Sequence, residues 1–273
     1  MNPGFFKYLI LISQFEIKRL FTTRKGFLYL MTFAVIWYFI LLYPIRFASD
    51  FLGQQQNTPE SSSFFQFIGF GSLLDWKIPE LGVYWHFSLI LFPLLTVMSS
   101  ADQTCSDRGR GTLRFLCLRV SRDSLFFGRF SGIMLIQAIL ICTSLLSTVA
   151  LITFRDATML PVAFNNAMAI FINLLIALLP FTAMMALLSA TVQSARQATV
   201  WAILIWSFLA GIITVLSSYL PALYNLKFMI PGYQMSALSQ LTEWQALQLA
   251  YIPLLQTIAL LTLGRWVMQR QSL

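Results

Sequence analysis

Few residues in this sequence could do chemistry. There is one histidine, three cysteines and ten carboxylates among 273 residues. Catalysis inside a membrane needs a nucleophile with a base, or a metal held by several convergent ligands. His86 has Trp85 beside it and no His or carboxylate partner close in sequence. It reads as an aromatic-belt residue at a membrane interface. Cys105, Cys117 and Cys142 are odd in number and lack the paired spacing of zinc ligands or a disulfide framework. No G-x-x-x-x-G-K-[ST] phosphate loop occurs, so the chain cannot bind ATP by that route. No enzyme activity, metal or cofactor is expected on this chain.

The composition explains this scarcity. Apolar residues make up 58% of the chain and charged residues 10%, against roughly 25% charged in a soluble domain. The mean hydropathy is +0.74. An all-α integral membrane protein is expected, with six spans near residues 27–45, 83–101, 125–154, 164–192, 199–220 and 245–268. The formal charge of +8 needs no nucleic acid, because the basic residues cluster in particular loops. With these spans, 14 Lys and Arg fall on one side and 4 on the other, which puts both termini in the cytoplasm. The span interiors carry mainly neutral polar residues, among them Gln137, Asn166, Asn173, Thr182 and Gln256. Helix–helix hydrogen bonding is the favoured reading, with a substrate-path lining as the alternative. A proton-coupled transporter is expected to hold Asp, Glu or Lys in its core.

Several segments outside the spans have patterns of their own. Before the first span, Phe6, Leu9, Ile10, Ile17, Leu20 and Phe21 share one helical face, opposite Lys7, Gln14, Lys18 and Lys25. That pattern predicts an amphipathic helix along the inner membrane surface. The loop 46–82 has a polar core, then an apolar stretch ending at Trp76, expected at the outer interface. The connection 221–244 is too apolar for a free loop and is broken at Pro231-Gly232. Short re-entrant helices before the sixth span fit it. Pro93, Pro180 and Pro253 are expected to kink their spans.

The most polar long run is DRGRGTLRFLCLRVSRDSLFFGR, Asp107–Arg129, with six of the eighteen basic residues. Asp107, Arg108, Arg110 and Gly111 form a charged turn, and the glycines permit a sharp bend. Thr112 is a candidate N-cap for a short amphipathic helix over 113–119, with Leu113, Arg114, Phe115 and Arg119. Ser121 is a second candidate N-cap, starting the third span, with Val120 and Leu125 as a hydrophobic staple. Arg122 follows the cap, and Arg129 lies two turns into the span, from where it can snorkel to the surface. A topological anchor needs only charge; these caps specify a positioned helix.

This run resembles a motif of ABC-2-type transporter permeases: an acid, G-T-L, a Leu-rich stretch, P-V-S-R, then Gly-Lys at the third span. Asp107 stands for the acid; Gly111, Thr112, Leu113, Val120, Ser121 and Arg122 match; Gly128-Arg129 replaces Gly-Lys. Arg119 stands where the family has proline. The general likeness is nearest the copper-maturation-type branch. The resemblance implies a single transmembrane domain over residues 1–273 and a coupling helix seated on a separate ABC ATPase subunit. The docking residues would be Asp107, Arg108, Arg110, Gly111, Thr112, Leu113, Arg114, Phe115, Arg119, Ser121, Arg122 and Arg129. ATP and Mg would then sit on the partner. A second permease copy or a related permease would complete the pathway in the bacterial inner membrane, with membrane lipid around it. A periplasmic companion stays open, and export is implied over import. The alternative is a non-transporting anchor that uses the same loop to hold a cytoplasmic ATPase or regulatory partner.

Overall fold

The computed structural model describes residues 3–46, 76–219 and 227–270. All the regular structure in them is helical. In chain order the helices are α1 (Pro3–Thr22), α2 (Arg24–Ile40), α3 (Pro79–Ser100), α4 (Cys105–Gly109) and α5 (Thr112–Arg119). They continue with α6 (Arg122–Arg155), α7 (Leu160–Thr191), α8 (Ala195–Tyr219), α9 (Met235–Ser239) and α10 (Tyr251–Arg270). Six helical stretches among the described residues are long and apolar enough to cross a membrane, in the order the sequence predicts. The first is α2 extended by a π-helical turn at Leu41–Ile45 around Pro44.

Helices α6 and α7 form the centre. The connection between them is a short 3-10 turn, Ala157–Met159, capped by Asp156. The Asp156 carboxylate accepts from the Thr158 amide at 2.9 Å and its hydroxyl at 2.7 Å, which holds its pKa below the usual value. Helix α3 packs against α7, α10 runs along α7, and α1 runs along α6. Where α2 meets α3 the contact is aromatic, with the Trp37 and Tyr84 rings 5.0 Å apart, edge to face. Helix α8 is the least enclosed of the spans. It buries Ala198, Ala202 and Ile213 and leaves Trp201, Phe208 and Val215 exposed.

Some expectations shift. The last helix starts at Tyr251 rather than Gln245, because Glu243–Leu249 is a 3-10 helix. Pro253 therefore lies in the first turn of α10, where its missing N–H costs no helical hydrogen bond. Pro93 and Pro180 do lie inside helices. Trp76 is buried in the main core rather than at an interface. The expected apolar stretch before it, over 64–75, lies outside the described residues. The segment before α10 is a chain of short turns that bends at Gly232, where φ is +90°. A Cβ there would sit 2.7 Å from the Phe181 ring.

The neutral polar residues of the spans are mostly used to hold this architecture. Asn166 and Asn173 donate to the Glu243 side chain (3.0 Å) and backbone carbonyl (3.2 Å). Gln256 donates to the carbonyls of Phe228 (2.6 Å) and Ile230 (3.2 Å). Gln137 bonds Thr182 at 3.1 Å. Irregular backbone at this depth needs such partners, since lipid supplies none. His86 is likewise buried within the protein, with its ring bonded to the backbone of Gly82 and of Ser239.

Helix α1 also differs from a simple surface helix. Ser13, within the apolar face, and Glu16, at its edge, are buried against α6. Gly128 and Gly132 of α6 make the approach possible. A Cβ on Gly128 would come within 2.9 Å of Ile12, and one on Gly132 within 3.0 Å of Glu16 and 3.1 Å of Ser13. The Ser13 hydroxyl donates to a backbone carbonyl, Leu9 (2.9 Å) or Gly128 (3.0 Å), and lies 2.7 Å from Ser131 Oγ. Close backbone approach at small residues is the usual way helices associate in lipid. Gly132→Leu should therefore lower stability by about 1–3 kcal/mol through overpacking. The check is the thermal midpoint of the full chain in detergent. Gly211→Leu, where a Cβ meets nothing within 4 Å, should leave that midpoint unchanged.

Candidate functional site

The polar run folds into two short helices, α4 and α5, that cap one end of the bundle. Gly111 joins them in a left-handed conformation, φ +72°. An L side chain is strained there, which is why the turn takes glycine. Gly111 itself occupies the N-cap position of α5, so Thr112 is the first helical residue rather than the cap. Its hydroxyl turns back to Asp107, 3.1 Å from the carbonyl and 3.2 Å from the carboxylate. Ser121 does cap α6: its Oγ accepts from the Ser124 amide at 3.2 Å.

The arginines divide into two groups. Arg108 donates to the carbonyls of Ala190 (2.7 Å) and Thr191 (2.9 Å) at the C-terminus of α7. Arg122 donates to those of Met268 (3.2 Å) and Gln269 (2.9 Å) at the end of α10. Both satisfy last-turn carbonyls that have no helical partner, and both place positive charge at the negative end of a helix dipole. Asp123 strengthens the second clasp, with Arg265 at 2.8 Å and Gln269 at 3.0 Å.

Arg129 is only 6% exposed and does not snorkel. Its guanidinium binds the Asp107 carboxylate and the Gln103 carbonyl. Its Nε lies 3.9 Å from Glu16 of α1. Arg19 closes the knot, 2.9 Å from Asp102 and 3.5 Å from Glu16. Glu16, Arg19, Asp102 and Gln103 were not singled out in the sequence, because their partners lie far along the chain. The burial of a Glu on an amphipathic helix is visible only once α1 is seated. Another such pair, Glu80 with Arg155, joins the opposite ends of α3 and α6. Glu80 is buried, although the sequence placed it in a loop.

The second group faces outward. The side chains of Arg110, Arg114 and Arg119 make no ion pair or hydrogen bond among the described residues, and all three are exposed. Between them Phe115 is 72% and Leu118 83% exposed. Leu113 is buried on the other side of α5, packing with Leu125, Phe126 and Met268. Leu113 and Arg129 thus seat the loop from within and present no surface. Burial pushes the Cys117 thiol pKa above its ordinary value. Among the described residues no group of His, Cys, Asp and Glu could hold a metal.

The profile of the ABC-2 family transporter proteins matches residues 11–269, from α1 to the end of α10. The chain belongs to this family. It is a multi-pass bacterial membrane protein and the permease component of an ABC transporter. A search of curated proteins found no significant match. In this ABC-2 permease Asp107 bonds Arg129, and Gly128 beside it packs against Ile12 of α1.

Burial raises the Glu16 pKa above its ordinary 4.5, outweighing the attraction of Arg129 and Arg19. The folded state then binds this proton more tightly than the unfolded chain. Stability should rise as pH falls through the raised pKa, and level off below the unfolded value. Glu16→Gln should therefore melt higher than wild type at neutral pH, with the gap closing as pH approaches 4.5. Arg129→Gln should lower stability, because Asp107 loses its ion-pair partner and buried Glu16 keeps only Arg19. Thermal midpoints across a pH series check both; a pH-independent gap for Glu16→Gln overturns the first.

Proposed function

We propose that this permease is driven by a separate nucleotide-binding subunit that seats on α5. The observation that carries this reading is the division of labour in the polar run. Arg108, Arg122, Asp107 and Arg129 fasten the loop to the ends of α7 and α10 and to α1. Phe115, Leu118, Arg114 and Arg119 stand exposed on the helix so fastened. An exposed aromatic and aliphatic pair ringed by arginines has the composition of a protein-binding hot spot. A rigid mounting allows a push on α5 to pass into α6, α7 and α10 together. A loose loop would absorb it.

In this reading Mg-ATP is bound and hydrolysed on the partner, and the loop end of the bundle is cytoplasmic, as is each terminus. The 14-to-4 distribution of basic residues supports that orientation. A second copy of the chain or a related permease completes the pathway, and the direction is export. The alternative is an anchor that holds an ATPase without transport.

The test uses the full chain extracted in mild detergent from its native membrane. ATPase activity should co-purify with wild type. Leu118→Glu and Phe115→Glu should each reduce it by about thirtyfold, the effect expected of a hot-spot residue, with the thermal midpoint preserved. Arg110→Glu with Arg114→Glu should uncouple hydrolysis from transport in liposomes. Undiminished co-purification with Leu118→Glu excludes α5 as the seat. Hydrolysis that never supports transport of any cargo favours the anchor.

A further inference from the structure

Beside the docking helix, the described residues enclose a cleft of about 590 Å³. It lies between the α1–α2 elbow and the end of α3 with α4. One part of its lining is apolar, including Tyr29, Met98 and Ile133. The rest is ionic, with Arg19, Lys25, Arg110 and Arg129 facing Glu16, Asp102 and Asp107. Four cations against three carboxylates leave a formal charge of +1.

These charges are not equally available. Arg19 and Arg129 are engaged by the three carboxylates. Lys25 and Arg110 are exposed, and their side chains make no ion pair or hydrogen bond among the described residues. The cleft therefore offers two uncommitted cations next to an apolar wall, where spanning helices α2 and α3 end. Met98, in the last turn of α3, is 63% exposed, so a chain from the bilayer reaches it without crossing water.

We propose that this cleft binds the headgroup of an anionic phospholipid. Its phosphate is held by Lys25 and Arg110, and an acyl chain lies against Tyr29, Met98 and Ile133. A free phosphate would use the two cations and leave the apolar wall without a role. A zwitterionic headgroup would need an acceptor for its ammonium. Asp102 and Asp107 are already paired with Arg19 and Arg129, and Glu16 is buried. The excess of one positive charge matches a single phosphate diester.

The full chain, stripped of lipid in a neutral detergent, is titrated with phosphatidylglycerol, with phosphatidylcholine of the same chains, or with inorganic phosphate. A ligand that binds only the folded state raises the thermal midpoint in proportion to its occupancy. Phosphatidylglycerol should raise it saturably, and the other two should not. Neutralising both cations, Lys25→Gln with Arg110→Gln, should weaken the apparent phosphatidylglycerol affinity roughly 10- to 30-fold, at the strength of one basic residue per anionic contact. Met98→Trp, which narrows the wall without altering charge, should weaken it as well. Equal stabilisation by phosphatidylcholine overturns the anionic preference, and equal stabilisation by inorganic phosphate makes this a soluble-anion site. Unchanged affinity in either variant removes the cleft as the site.

Discussion

A buried guanidinium organises this end of the molecule. Arg129 projects from the second turn of the longest helix, α6, and is buried there. A lone charge there would be very costly, and the cost is met only by well-placed partners. Those partners come from three directions: Asp107 from α4, the Gln103 carbonyl from the turn after α3, and Glu16 from α1. Asp107 and Gln103 must lie against α6 for the arginine to be stable. The polar loop inherits its position from that requirement.

Around this knot the other polar contacts are local solutions to one problem. Each helix that ends at this side leaves carbonyls without partners, and arginines of the loop supply the missing donors. At the other side, asparagines and glutamines of α7 and α10 do the same for the irregular segment before α10. The result is a bundle whose interior bonds are largely neutral and whose charges gather at its ends.

What was legible in the sequence follows from how local each signal is. Helix periods, long apolar runs, the Ser121 cap and the break at Pro231-Gly232 depend on residues within a turn or two, and could be read directly. So could the family motif. The N-cap at Thr112 misled because serine and threonine caps are common, whereas here Gly111 adopts a left-handed conformation and takes that place. The roles of Arg108, Arg122 and Arg129 were mixed with those of Arg114 and Arg119, since a linear count of charge does not distinguish a clasp from a surface. Glu16 gave no signal, because the helix that buries it and carries Arg129 lies more than a hundred residues away.

The glycine contact between α1 and α6 also sets an order of events during synthesis. Ser13 bonds a backbone carbonyl 115 residues further along the chain. At translation rates of roughly 5–20 residues per second, α1 emerges some 6 to 23 seconds before its berth exists. Throughout that wait its Ser13–Glu16 face has no protein to cover it, while the face bearing Phe6, Ile10 and Phe21 can rest in the lipid headgroup layer. In the finished protein those three side chains are still exposed. The exposed apolar residues can thus hold α1 at the membrane surface until α6 arrives to cover Ser13 and Glu16.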